Sequence, residues 1–75
     1  MRVQLKLMGF LKAKTPADGE LQLPEGGTIE DVLRALEIAV ESVQVFTVNG
    51  NFVRDRNHTL ADGDELTVLP PVGGG

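Results

Sequence analysis

Residues 23–33 read LPEGGTIEDVL, and this stretch marks the change from a predicted strand to a predicted helix. Pro24 cannot donate a strand hydrogen bond, and the paired glycines that follow favour a turn. Thr28 then stands where a helix N-cap belongs, with Asp31 three positions later as in a variant of the capping box. Acidic residues in the first turn also favour the positive end of a helix. The stretch therefore predicts that a helix begins at Ile29.

The predicted helix has one apolar face that extends to Val40. Its apolar residues recur three or four positions apart, and charged residues occupy the other faces. The apolar set is Ile29, Val32, Leu33, Leu36 and Val40, and the charged set is Glu30, Arg34, Glu37 and Glu41. We therefore expect a helix with one buried face and one solvated face.

Two strands are predicted before the helix. Val3, Leu5 and Leu7 alternate with other residues, as in a strand with one buried face. Leu21 and Leu23 form a second, shorter alternation after a loop that contains residues 14–19. The two segments predict a hairpin.

Three more strands are predicted after the helix. Residues 43–48 are rich in β-branched side chains, and the pair Asn49 and Gly50 is a strong signal for a two-residue hairpin turn. A short partner strand follows at residues 52–53. After a second turn, the last strand covers residues 65–69 and ends at two prolines.

This order predicts an α+β fold in which a mixed, curled sheet of about five strands packs on one helix. The 75 residues fit one domain, covering residues 1–75, that needs nearly all its apolar side chains to close a core. The first and last strands are expected to pair in parallel. No apolar run is long enough for a membrane span or a signal peptide, so we expect a soluble, cytoplasmic protein.

Composition excludes several classes of function. The chain has no cysteine, which rules out disulfides, thiolate metal sites and a cysteine nucleophile. A formal net charge of −4 and three scattered phenylalanines argue against nucleic acid as a partner. Net charge alone favours a basic protein surface instead.

The chain finishes on PPVGGG, residues 70–75. Consecutive glycines make the thinnest and most pliable backbone, one that can enter a slot closed to other residues. The carboxylate of Gly75 could therefore be presented to another protein's active site. By itself, such an end is equally typical of an untethered terminus.

Several exact stretches resemble a known family. They are residues 23–33, residues 48–50 (VNG), residues 60–65 (LADGDE) and the Gly-Gly end. Together they resemble the MoaD/ThiS-type sulfur carrier proteins of the ubiquitin-like β-grasp family, and the resemblance covers essentially the whole chain. The lead-in at residues 70–72 is most similar to that of the molybdopterin synthase small subunit. The resemblance implies a β-grasp domain with a flexible functional tail at residues 70–75.

The resemblance also implies a chemistry. An E1-like adenylyltransferase (MoeB/ThiF type) would use ATP and Mg²⁺ to adenylylate Gly75, and sulfur would then replace AMP. The resulting thiocarboxylate would donate sulfur to the molybdopterin precursor inside a larger synthase subunit (MoaE type), in a heterotetramer. The carrier would hold no permanent cofactor and would be a protein cosubstrate, not a catalyst.

Two sets of site residues follow. The tail set is expected to enter the partner's tunnel and consists of Pro70, Pro71, Val72, Gly73, Gly74 and Gly75. Gly75 carries the reacting carboxyl group. The two prolines are expected to act as a spacer that holds the tail off the sheet. The docking set follows from strand parity: if Phe46 and Val48 face the core, the opposite face holds Val45, Thr47, Thr67 and Leu69. In the family this face contacts both partners. A bulge at Gly9 in the first strand would reverse the parity.

Other interpretations stay open. The same tail could be joined to lysines of target proteins, as in a ubiquitin-like modifier, or could serve thiamine thiazole synthesis. The domain could also be a binding module with an incidental glycine end. His58 is expected to be a solvated loop residue, and Asp62, Asp64 and Glu65 are better explained by turn chemistry than by a metal site.

Overall fold

The computed structural model describes residues 1–71, with the side chain of Ser42 excepted. The predictions for Val72, Gly73, Gly74 and Gly75 lie outside the described residues. The regular elements are β1 Arg2–Leu7, β2 Glu20–Gln22, α1 Ile29–Ala35, β3 Val45–Val48, β4 Asn51–Val53 and β5 Glu65–Leu69, with 3₁₀ helices at Gly9–Lys14 and Val40–Ser42.

The five strands form one mixed sheet in the order β2-β1-β5-β3-β4. β1 and β5 pair in parallel, with Leu5 opposite Leu66, and the other neighbours are antiparallel. The predicted order of elements and the parallel central pair are both confirmed. β5, which leads into the tail, therefore lies in the middle of the sheet.

The core lies between the inner face of the sheet and α1. Strand alternation is confirmed, because Val3 and Leu7 in β1 and Leu66 and Val68 in β5 are at most 2% exposed. The helix contributes Ile29, Val32 and Leu33, each at most 1% exposed. Burial of each such side chain stabilises the fold by about 1.5–3 kcal/mol.

The predicted start of α1 is confirmed. Thr28 Oγ1 accepts a hydrogen bond from the Asp31 backbone N–H at 3.3 Å, and Asp31 Oδ2 accepts one from the Thr28 backbone N–H at 2.9 Å. This reciprocal pair is a capping box, with aspartate in place of the usual glutamate.

The prediction that the helix continues to Val40 is wrong. α1 ends at Ala35, and Glu37 takes a left-handed conformation with φ 57°. The Glu37 backbone N–H donates to Arg34 O, and the Ile38 backbone N–H donates to Leu33 O. These two bonds form a Schellman motif, a helix stop that usually places glycine at the left-handed position. Because glutamate occupies that position instead of glycine, the sequence pattern did not indicate the end of the helix.

A 3₁₀ helix at Gly9–Lys14, absent from the predictions, follows β1 and buries Leu11. Gly9 does not form a bulge within β1, because the strand ends at Leu7 and Gly9 begins the next element. The strand parity is therefore undisturbed. Within residues 1–71, no helix has the length and apolar character needed to cross a membrane.

Candidate docking face and tail base

Two cross-strand pairs form the centre of the outer sheet face. Val45 lies opposite Leu69, and Thr47 lies opposite Thr67, in the antiparallel ladder between β3 and β5. All four are half-buried, whereas their chain neighbours on these strands, such as Phe46 and Val68, are buried in the core. The structure thus places the four residues together on the outer face, as strand parity predicts. Their role in docking stays a prediction.

Phe52 extends this face and was missed from the sequence. The register of β3 with β4 puts Phe52 opposite Thr47, so it lies on the same outer face. Its exposed fraction is 79%, the highest among the large hydrophobic side chains of the described chain. Asn49 and Gly50, with φ 53° and 85°, form the predicted two-residue turn. That turn fixes the register, so it was the signal that could have located Phe52.

A groove runs beside β3 and β4 and is lined by residues from both faces of these strands. It is lined by Gln44, Val45, Phe46, Phe52, Val53 and Arg54. The groove therefore connects the Val45–Leu69 pair with the exposed ring of Phe52. Its polar residues, Gln44 and Arg54, both lie at the open end of the β3–β4 hairpin, away from the Asn49–Gly50 turn.

The base of the tail is held against the first loop. The carbonyl of Leu69 accepts a hydrogen bond from the Gln44 backbone N–H at 2.8 Å. Pro70, which follows, is half-buried and packs against Gly9, whereas Pro71 is exposed. Pro70 thus belongs to the folded domain, and only Pro71 is placed to act as the free spacer that both prolines were expected to form.

The acidic turn before β5 is a structural feature. Asp62 Oδ1 accepts from the Arg2 backbone N–H at 2.7 Å, and Asp64 accepts from the Asn49 side-chain amide at 2.9 Å and from the Ala61 backbone N–H at 2.8 Å. Asn49 Oδ1 in turn accepts from the Glu65 backbone N–H at 3.0 Å. These bonds tie the turn to β1 and to the hairpin, as turn chemistry predicts.

No group of potential metal ligands is found within residues 1–71. His58 lies exposed in the loop before β5, as predicted. Its backbone carbonyl accepts a hydrogen bond from the Ile29 N–H at the start of α1. His58 thus contributes to the start of α1 through its main chain.

Comparison with known proteins agrees with this architecture. The chain matches the model of the ThiS family over residues 5–75. A Chlamydomonas reinhardtii protein named molybdopterin synthase sulfur carrier subunit is 34% identical over 83 residues, covering 97% of this chain and 100% of the relative.

Solved structures share the fold over nearly the whole chain. SAMP1 from Haloferax volcanii gives a TM-score of 0.76 at 22% identity, with 100% of both chains covered. The putative molybdopterin converting factor, subunit 1, from Pyrococcus furiosus gives a TM-score of 0.74 at 26% identity, covering 96% of this chain and 99% of that one. The predicted ubiquitin-like β-grasp fold is therefore confirmed.

Proposed function

The chain belongs to the ThiS family, and from this premise we propose that it is the sulfur carrier subunit of a molybdopterin synthase. The observation that carries the proposal is the 34% identity, over the full length of the relative, to a protein with that name. The name of the Pyrococcus furiosus protein supports the molybdopterin branch over thiazole synthesis. The relatives thus agree with the resemblance found in the sequence.

The proposed chemistry takes place on the Gly75 carboxyl group. A carboxylate is a poor acyl donor, so an E1-like adenylyltransferase joins its oxygen to the α-phosphorus of ATP, with Mg²⁺ bound to the phosphates, and pyrophosphate leaves. Hydrosulfide then attacks the acyl carbon and displaces AMP. The product is a thiocarboxylate, whose sulfur displaces an oxygen leaving group from a carbon of the pterin precursor and forms a thioester. Hydrolysis of the resulting acyl link by water restores the carboxylate.

In this scheme the chain supplies a projecting tail and a surface that positions it. Pro71 favours an extended backbone, which lowers the entropy lost when the tail enters a partner. Gly73 and Gly74 present no side chain to the walls of a narrow tunnel. General acids, bases and metal ions come from the partner, so the chain acts as a protein cosubstrate.

The partner of the sulfur-loaded form is a larger synthase subunit, in a heterotetramer. Both relatives are named as subunits, which supports a partner chain. The contact uses the outer face around Val45, Thr47, Thr67 and Leu69, because this face leads through Pro70 to the tail. The activating enzyme docks on the same face, so the two partners bind in turn.

The test is the intact mass of the chain after incubation with ATP, Mg²⁺, sulfide and the E1-like enzyme of its organism. A gain equal to exchange of one oxygen for sulfur, mapped to Gly75, is the expected result. A chain shortened by Gly74 and Gly75 serves as the control and should not gain mass. No gain in the full chain would contradict the proposal, and isopeptide links to lysines would favour the modifier alternative.

A further inference from the structure

The outer face near the tail is positively charged at its borders, although the chain has a formal net charge of −4. Lys6 is exposed on the outer side of β1 and lies opposite Thr67. On the other side, Arg54 lines the groove together with Phe52. Lys6, Thr67, Thr47 and Phe52 thus form a row across the sheet, with Lys6 at one end and Arg54 two residues after Phe52 in the chain at the other.

This row has a definite width. It crosses β1, β5, β3 and β4, which are adjacent in the sheet. Three strand spacings separate Lys6 from Phe52, or about 14 Å between their backbones. An interface of ordinary size can span both cations at once.

The two cations are available for a partner. Within residues 1–71, the recorded ion pairs involve Arg2 with Glu20 and Arg34 with Glu30 and Asp31, and neither Lys6 nor Arg54 takes part in one. Along β5, the carboxylate of Glu65 lies two residues before Thr67, at the end of the strand away from the tail. Asp55 follows Arg54 directly, but its carboxylate accepts a hydrogen bond from the Asn57 backbone N–H at 2.9 Å. The remaining carboxylates lie on β2, on α1, in the Asp62–Asp64 turn and in the other connections between elements.

We propose that the larger synthase subunit that receives the tail presents an apolar patch bordered by carboxylates, which pair with Lys6 and Arg54 while Phe52 inserts into the patch. This proposal rests on the proposed function and adds the chemistry of the partner. Aromatic side chains at the centre of an interface contribute most to affinity, and charges at its rim set orientation and association rate. Net charge predicts a basic partner surface, whereas the local arrangement predicts an acidic rim.

The direction in which charge reversal changes Kd separates these two predictions, because an acidic rim predicts weaker binding and a basic partner predicts tighter binding. Lys6→Glu and Arg54→Glu each change the formal charge by the same amount as Arg34→Glu on the helix, which serves as the matched control. All three side chains are exposed, so the fold should persist, and circular dichroism checks this. The wild type and the variants are titrated calorimetrically against the larger synthase subunit of the same organism.

We expect Lys6→Glu and Arg54→Glu each to raise Kd by about tenfold, and Arg34→Glu to change it by less than about twofold. Added salt should weaken the wild-type complex and should have less effect on the two variants. Phe52→Ala should raise Kd by about thirtyfold, the size expected for an interface anchor.

Tighter binding by Lys6→Glu or Arg54→Glu would overturn the proposal in favour of a basic partner. Equal effects of all three reversals, or no effect of any, would also overturn it, because the response would then not be local. If the wild type fails to bind the subunit and also fails to gain sulfur, the proposed function itself is overturned. If it gains sulfur and binds but the charge reversals have no effect, only the acidic rim is excluded.

Discussion

Gly9 and Pro70 are packed so closely that a Cβ built on Gly9 would lie 2.9 Å from Pro70 Cγ. Gly9 begins the 3₁₀ helix after β1, and Pro70 is the first residue after β5. Because β1 and β5 are parallel neighbours, the two strands end side by side, at the same end of the sheet. The contact therefore fixes the point at which the tail leaves the domain.

Gly9→Ala should destabilise the fold by about 2–3 kcal/mol, through the left-handed backbone and the clash with Pro70 together. The matched control is Gly19→Ala, because Gly19 also has a positive φ, 71°, but an added Cβ there meets nothing within 4 Å. The control should lose only about 1–2 kcal/mol, from the backbone alone. Urea unfolding measures both, and equal losses would show that the contact with Pro70 carries no energy.

Glu37→Gly should stabilise the fold by about 0.5–1 kcal/mol. Glu37 has φ 57° at the end of α1, where glycine avoids the Cβ penalty that a substituted residue meets. Glu37→Ala removes the same charge but keeps the Cβ, so it should give no such gain. Thermal unfolding compares the two, and a stabilisation by alanine as large as that by glycine would assign the effect to charge instead.

Thr67→Arg should weaken binding of the larger synthase subunit by at least about tenfold while leaving the free energy of unfolding unchanged within about 0.5 kcal/mol. Thr67 lies at the centre of the proposed docking face, and its side chain points away from the core. Gln22→Arg is the control, because β2 is the edge strand furthest from β3 and β4 on the same sheet. Comparable weakening by Gln22→Arg would shift the docking face toward β2.

Gly74→Val should abolish adenylylation without unfolding the domain. A branched side chain next to Gly75 would not pass through a tunnel shaped for bare backbone. ATP–pyrophosphate exchange with the activating enzyme reports the step directly, and Gly73→Ala, a small change further from Gly75, should keep most of the rate. Normal exchange by Gly74→Val would contradict the assigned role of the tail.

Elements defined by local chemistry were predictable from the sequence. The capping box at Thr28 and Asp31 and the turn at Asn49 and Gly50 are encoded in a few adjacent residues, and both are confirmed. The two-residue period of β3 and β5 was enough to place Val45 and Leu69 on the outer face. Such features require no knowledge of contacts between distant segments.

Features that depend on tertiary contacts were missed. The stop of α1 uses Glu37 in a conformation that favours glycine, which is held by the buried Ile38 that follows. The 3₁₀ helix at Gly9–Lys14 depends on burial of Leu11 and on the contact of Gly9 with Pro70. The local sequence indicates neither feature, because the burial of Ile38 and of Leu11 depends on residues elsewhere in the fold.

The central position of β5 has a mechanical consequence. A force applied through the tail is carried along β5, which has a hydrogen-bonded ladder on each side, to β1 and to β3. Such a pull acts along the strand and loads many hydrogen bonds at once, in shear, instead of opening them one by one as at an edge strand. A carrier built this way can have its tail drawn into one partner and withdrawn toward another without the sheet unzipping.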